Sequence, residues 1–132
     1  MRAGLISGIT SALSTLTQFT VSSELPWSQN GQPLYRKNMK KVYVDRDTLE
    51  QTTLFPVLSG SEVFDNAYSC RAFLTVDAKN PPSQLDTAIT RILSAKSSTG
   101  VINFDEESDY TQELDEDTIT YTFEFRIRVA TT

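Results

Sequence analysis

Hydrophobic and polar residues alternate along the C-terminal end of the chain, from Thr118 to Ala130. Because successive side chains of a strand point to opposite faces, this pattern predicts a strand with one face on a core and the other in water. The apolar positions are Ile119, Tyr121, Phe123, Phe125, Ile127 and Val129, and the polar positions include Thr120, Thr122, Glu124, Arg126 and Arg128. The chain is therefore expected to contain an antiparallel sheet with one solvated face.

Two other segments have the three- and four-residue spacing of amphipathic helices. The first is predicted over Ala3 to Leu16, with a buried stripe of Leu5, Ile6, Ile9, Ala12, Leu13 and Leu16. The second is predicted to open at Asn80-Pro81-Pro82, with Asn80 as its cap, since proline is tolerated in a first helical turn. Its stripe is Leu85, Ala88, Ile89, Ile92 and Leu93.

The remaining segments complete the prediction of an α+β fold. Further strands are expected over Phe19 to Ser23, Lys41 to Asp45, Tyr68 to Asp77 and Val101 to Asp105. The result is a mainly antiparallel sheet of about four to five strands with two helices packed on one face. The length of 132 residues favours a single domain over 1–132.

The stretch at about 46–64 has no clear period and is predicted to be a long loop. It carries four apolar residues, Leu54, Phe55, Val57 and Leu58. Two interpretations stay open, because an apolar loop of this length either docks on a partner or folds back over its own core.

The net charge of the chain argues against some classes of function. The formal net charge of -5 argues against broad binding to nucleic-acid phosphates and to anionic membrane surfaces, and no apolar run is long enough to predict a membrane span. One dense basic patch stands out, made of Arg36, Lys37, Lys40 and Lys41.

An acidic run is predicted to form the turn before the last strand. Its members are Asp105, Glu106, Glu107, Asp109, Glu113, Asp115, Glu116 and Asp117. The run contains no glycine for a calcium-binding loop, and a flexible hairpin tip offers no rigid cleft for two catalytic carboxylates. It is expected to be a solvated tip that prevents edge pairing, a contact for a basic patch on a neighbour or within the same chain, or a lining that lets DNA pass without sticking.

Catalytic chemistry is not expected. The chain has no histidine, no phosphate-binding glycine motif and a single cysteine, Cys70, which lies in a predicted strand and is interpreted as a core thiol. The sequence thus predicts a protein that is not an enzyme and has neither a cofactor nor a metal.

Taken together, these elements resemble the tail terminator proteins of long-tailed bacteriophages, the lambda-type minor tail protein that closes the tail tube. The resemblance spans nearly the whole chain. It lies in the N-terminal helix, the sheet interrupted at 46–61, the helix at Asn80-Pro81-Pro82 and the closing hairpin that ends in YTFEFRIRV. The segment from Pro33 to Val44 also looks like the second-strand region of that family.

The resemblance implies a structural virion protein assembled in the host cytoplasm. Such a protein forms a ring, usually of six copies, that caps the tail tube, ends its growth and provides the joint to the head or neck. Its partners would be further copies of itself, the tail tube protein and a head-completion or neck protein, with DNA as passing cargo and no membrane. In such a ring the basic patch and the apolar residues Leu54, Phe55, Val57 and Leu58 would be docking surfaces for adjacent subunits, and the acidic run is a candidate for the lumen. The alternatives are another phage neck, tail-completion or tube protein, or a monomeric protein-binding module.

Overall fold

A computed structural model describes residues 1–56, 62–95 and 103–131, with the backbone alone described at 52–56, 62–63, 103–106 and 129–131. The elements, in chain order, are α1 (Arg2–Ala12), β1 (Thr20–Ser22), a 3₁₀ helix (Leu34–Arg36), β2 (Lys41–Val44), β3 (Thr48–Pro56), β4 (Glu62–Asp77), α2 (Leu85–Leu93), β5 (Asn103–Asp115) and β6 (Thr118–Thr131). The fold is α+β, as the sequence predicts.

The described strands form one six-stranded sheet. Five of them follow the order β1-β2-β4-β6-β5, and β3 pairs with β4 off this path. β6 pairs with β4 along almost the whole of β4, from Phe64 opposite Thr131 to Asp77 opposite Thr118. The other edge of β4 is shared, because β3 pairs with its first half and β2 with its second half. All pairings are antiparallel except that of β1 with β2.

Both helices cover the same face of the sheet, which we call the inner face. The main core lies there, and it combines α1 residues such as Leu5 and Ile9, α2 residues such as Ile92, and sheet residues such as Leu74 and Phe123. The predicted alternation of β6 is confirmed, since Tyr121, Phe123, Phe125 and Ile127 are all buried.

Polar side chains hold the helices in place. Arg2 in α1 donates from Nε to the Val44 carbonyl at 3.0 Å and from Nη2 to the Ser23 carbonyl at 2.8 Å. At the start of α2, the Gln84 backbone N–H donates to the Gln18 side chain at 2.9 Å, and the Gln18 N–H donates back to the Gln84 side chain at 3.3 Å. These bonds tie both helices to the chain around β1.

The predicted start of α2 was wrong. The helix is capped by Gln84 and begins at Leu85, so Asn80, Pro81 and Pro82 precede it. The reason is steric, because Asn80 and Pro81 each come immediately before a proline, and a residue in that position is disfavoured in the helical region.

The predicted loop at about 46–64 was also wrong over 48–56 and 62–64, and residues 57–61 lie outside the described part. β3 occupies Thr48–Pro56 and pairs with β4 in antiparallel fashion. The described sheet therefore has six strands, where four or five were expected. The register shifts between Thr53 and Phe55, where a bulge interrupts the pairing. Before the bulge β3 has a single apolar residue, Leu49, so it lacks the two-residue alternation by which a strand is recognised in a sequence.

The outer face of the sheet is less solvated than the alternation of β6 predicts. Tyr35 from the 3₁₀ helix stacks on Phe73 of β4, with ring centroids 4.5 Å apart, and Trp27 meets the Phe73 ring edge-on at 6.1 Å. Tyr35, Tyr43 and Phe73 form a second buried cluster. Beside it, Thr75 and Thr120 are buried and share a hydrogen bond of 3.0 Å.

Replacing Phe123 by alanine is expected to lower the free energy of unfolding by about 3–5 kcal/mol, because its fully buried ring lies on the central strand pair. Urea denaturation followed by circular dichroism measures the loss. The exposed Leu114→Ala is the matched control and should change the free energy by less than about 0.5 kcal/mol. Equal effects of the two substitutions would contradict the position of the core.

The Thr75–Thr120 pair makes a second prediction. Thr75→Val alone leaves the buried Thr120 hydroxyl without this partner and should cost about 1–3 kcal/mol, whereas the double change of both residues to valine should fall within about 1 kcal/mol of the wild type. A double-mutant cycle of urea denaturation curves provides the measurement. Additive losses would show that the two hydroxyl groups do not interact.

Candidate functional site

The acidic run lies on an edge strand rather than in a turn. β5 extends to Asp115, and only Glu116 and Asp117 connect it to β6. Glu116 has a φ of 49°, the left-handed conformation of a tight connection. The prediction of a flexible acidic tip over 105–117 was therefore wrong.

The alternation within β5 gives its two faces different chemistry. Register with β6 places Glu107, Asp109, Glu113 and Asp115 on the outer face, opposite Arg126, Glu124, Thr120 and Thr118 respectively. These four carboxylates are exposed and form what we call the acidic stripe. The inner face of β5 carries Ser108, Tyr110, Gln112 and Leu114. Asp105 and Glu106 also belong to β5, but their side chains lie outside the described part.

The period of two was present in the sequence at Glu107, Asp109, Glu113 and Asp115, with only Thr111 interrupting it. The sequence does not predict this strand, because a run of carboxylates has low strand propensity and its charge indicates a solvated turn. Pairing with the strongly apolar β6 overrides that propensity.

The basic patch is exposed and lies on the segment between the 3₁₀ helix and β2. Lys37 donates from Nζ to the Gln32 side chain at 3.0 Å, and the Lys40 backbone N–H donates to the Thr75 carbonyl at 3.0 Å. Lys40 has a φ of 68°, and Lys41 begins β2. The patch is thus a rim of cations beside the second aromatic cluster.

The acidic and basic groups meet partly within the chain itself. Arg36 from the basic patch lies 3.5 Å from the Asp115 carboxylate, and Lys79 lies 3.0 Å from that of Asp117. Both contacts are at the β5–β6 turn and are exposed, so each contributes little to stability. They leave the middle of the acidic stripe untouched.

Two of the four predicted apolar docking residues lie in the described part of β3. Leu54 and Phe55 lie in β3, where only the backbone is described, and Val57 and Leu58 lie outside the described residues. Sequence reasoning missed Leu49, a β3 residue that is 51% exposed on the inner face opposite Tyr68.

A cleft of about 520 Å³ opens where the partner of β4 changes from β2 to β3. Two ion pairs line it, with Arg71 3.4 Å from Asp45 and Arg126 3.1 Å from Glu124, and Arg46 lines it without an ion pair to any described residue. In the described residues no group of three or more acidic, cysteine or histidine side chains is placed to hold a metal. The cleft offers hydrogen bonds and one cationic side chain to a partner.

Cys70 borders this cleft but is buried, which confirms its interpretation as a core thiol. Burial, with the nearby carboxylates of Asp47 and Asp45 adding to it, raises the pKa of the thiol to about 11. Its Sγ donates to the Asp45 carbonyl at 3.2 Å. The thiol is therefore protonated at neutral pH and is a poor nucleophile.

Comparison of the sequence with known protein families and with curated proteins found no match to either. None of the described helices has the length and apolar character that crossing a lipid bilayer requires.

The Cys70 environment predicts how the thiol and the stability respond to pH. At about pH 8, iodoacetamide should modify native Cys70 at least about a hundredfold more slowly than the unfolded chain. Because the unfolded thiol loses its proton first, the free energy of unfolding should fall as the pH rises from about 9 to about 11, and fall less in Cys70→Ala. Mass spectrometry and urea denaturation measure the two effects; rapid native labelling would contradict the assignment.

Proposed function

We propose that this protein is the subunit of a tail terminator ring in a long-tailed bacteriophage. In this role, copies of the chain form a ring that caps the tail tube, ends its growth and provides the joint to the head or neck. The observation that carries the proposal is an arm of the sheet that extends past the helices and presents apolar side chains.

The arm consists of β3, the paired first half of β4 and the adjoining end of β6. The core completed by the helices ends at Cys70 of β4 and Phe125 of β6. Beyond these residues Ile127 is still buried on the inner face. The same face of the arm also carries the exposed Leu49 and the partly buried Phe64 and Tyr68. An apolar surface of this kind favours contact with another protein.

The arm supports a head-to-tail assembly because the two ends of the subunit differ. One end is the arm, and the other is the body where α1 and α2 cover the sheet. A contact between unlike surfaces is heterologous, and repeated copies of such a contact close into a ring when the rotation between them permits. Six copies is the number that the family resemblance implies.

A terminator ring has the tail tube protein on one side and a head-completion or neck protein on the other, and DNA passes through its centre. The formal charge of -5 and the exposed carboxylates suit a passage that must not retain phosphates. The two ion pairs of the cleft and its buried thiol suit a structural role rather than a catalytic one.

The decisive experiment is the mass of the purified protein by light scattering over a wide concentration range, in low and moderate salt, with and without purified tail tubes. A discrete ring that binds tube ends and prevents further growth supports the proposal. Open-ended polymers would instead identify a tube subunit. A protein that stays monomeric and does not bind tube ends would contradict the proposal and favour a monomeric protein-binding module.

Substitution of the arm makes a sharper prediction. Leu49→Asp should abolish ring formation or weaken it at least about tenfold, because it places a charge in an apolar contact while the side chain is already exposed in the monomer. Leu54→Asp with Phe55→Asp should act in the same direction.

Leu114→Asp is the matched control, since Leu114 is 69% exposed and lies outside the arm. The two single variants should unfold at similar urea concentrations, so a difference in light-scattering mass reports on assembly. Rings that persist in Leu49→Asp, or that are lost equally in Leu114→Asp, would remove the arm from the proposed interface.

A further inference from the structure

The free edge of β5 is the longest unpaired stretch of strand that the structure describes. β5 pairs with β6 from Asp115 back to Asn103, and in the described residues no strand pairs with its other edge. Backbone N–H and C=O groups along such an edge can add a strand from another chain.

The acidic stripe sets the charge that an added strand must carry. Residues two apart on a strand are separated by about 7 Å, so the stripe presents carboxylates at the spacing of alternate side chains. Asp109 lies directly opposite Glu124 of β6, whose own carboxylate is paired with Arg126 at 3.1 Å. Within the described part of the chain, no salt bridge reaches Glu107, Asp109 or Glu113.

A shallow depression of about 400 Å³ lies beside the acidic stripe. Glu107, Asp109 and Glu124 line it, together with Ser108 and Arg126. It can accept the end of a long cationic side chain from an added strand.

The inner face of β5 requires an added strand to carry apolar side chains as well. Tyr110 lies 6.0 Å from the Tyr121 ring and 5.9 Å from the Phe123 ring, yet it remains 42% exposed. Leu114 is 69% exposed on the same face. An added strand would cover both residues with its own inner-face side chains.

A second copy of this chain does not meet these requirements. The described strands with a free edge besides β5 are β1 and β3, and neither contains Lys or Arg. Pairing β5 with β5 of another copy would place carboxylates against each other. Alternating basic and apolar residues do occur at Arg126-Ile127-Arg128, but β6 is paired on both sides.

We infer that the β5 edge binds, by strand addition, an extended segment of a different protein that carries Lys or Arg at alternate positions and apolar residues between them. Charge complementarity selects the partner and its facing, and backbone hydrogen bonds provide the contact. This inference does not rest on the ring, and it holds whether or not the protein assembles with itself.

The test uses a fluorescein-labelled synthetic peptide, KVKLKTKVK, and the intact protein in low salt. Fluorescence anisotropy should show saturable binding, and hydrogen exchange at β5 amides should slow in the complex. The same peptide with an N-methyl group on every backbone amide nitrogen keeps its charge and side chains but has no backbone N–H to donate to the edge. It should bind at least about tenfold more weakly.

The variant Glu107→Gln, Asp109→Asn, Glu113→Gln should weaken binding of the unmodified peptide by about tenfold or more. The matched control is Glu24→Gln, Glu50→Gln, Asp86→Asn, which changes three exposed carboxylates elsewhere and alters the net charge equally. It should leave binding almost unchanged.

Three results would overturn the inference. Equal binding of the N-methylated peptide would reduce the contact to charge attraction. Equal weakening by the control variant would make it an effect of net charge. No binding of the unmodified peptide at micromolar to millimolar concentrations would leave the acidic stripe as a device that only prevents edge pairing.

Discussion

The antiparallel pair of β4 and β6 is the interaction on which the rest of the structure depends. It runs without a register break from Phe64 opposite Thr131 to Asp77 opposite Thr118. Its inner face supplies much of the wall on which both helices pack, and its two outer edges receive β2 and β3 on one side and β5 on the other. A slip of one residue in this register would exchange the two faces of the sheet, so every other contact presupposes it.

The length of this pair exceeds what two short helices can cover. α1 has 11 residues and α2 has 9, whereas β4 has 16 and β6 has 14. A helix rises about 1.5 Å per residue and a strand about 3.3 Å, so the strands extend well beyond the helices. The arm and its exposed Leu49 follow from this mismatch, and with them the surface proposed for assembly.

Charged side chains at the edges of the sheet have two different roles. Near the β5–β6 turn, Arg36 and Lys79 form exposed ion pairs with acidic residues of the same chain. Along the middle of β5, the acidic stripe faces outward and governs which strand can pair with the edge. The proposed ring and the proposed strand addition therefore use different surfaces, the arm for like subunits and β5 for an unlike partner.

Much of this architecture was determined by the sequence alone, because periodicity reports burial directly. The alternation of β6 and of Tyr68 to Val76 in β4, the stripes of the two helices and the burial of Cys70 all follow from where apolar residues recur. Composition and local pattern predict a segment less well where pairing with a neighbouring strand determines its structure. β3 has one apolar residue before its bulge and so shows no alternation, and β5 has a carboxylate-rich composition that resembles a turn. Only the tertiary structure decided that both are strands, that Tyr35 and Trp27 cover part of the outer face, and that Arg36 meets Asp115, because each depends on pairing between residues far apart in the chain.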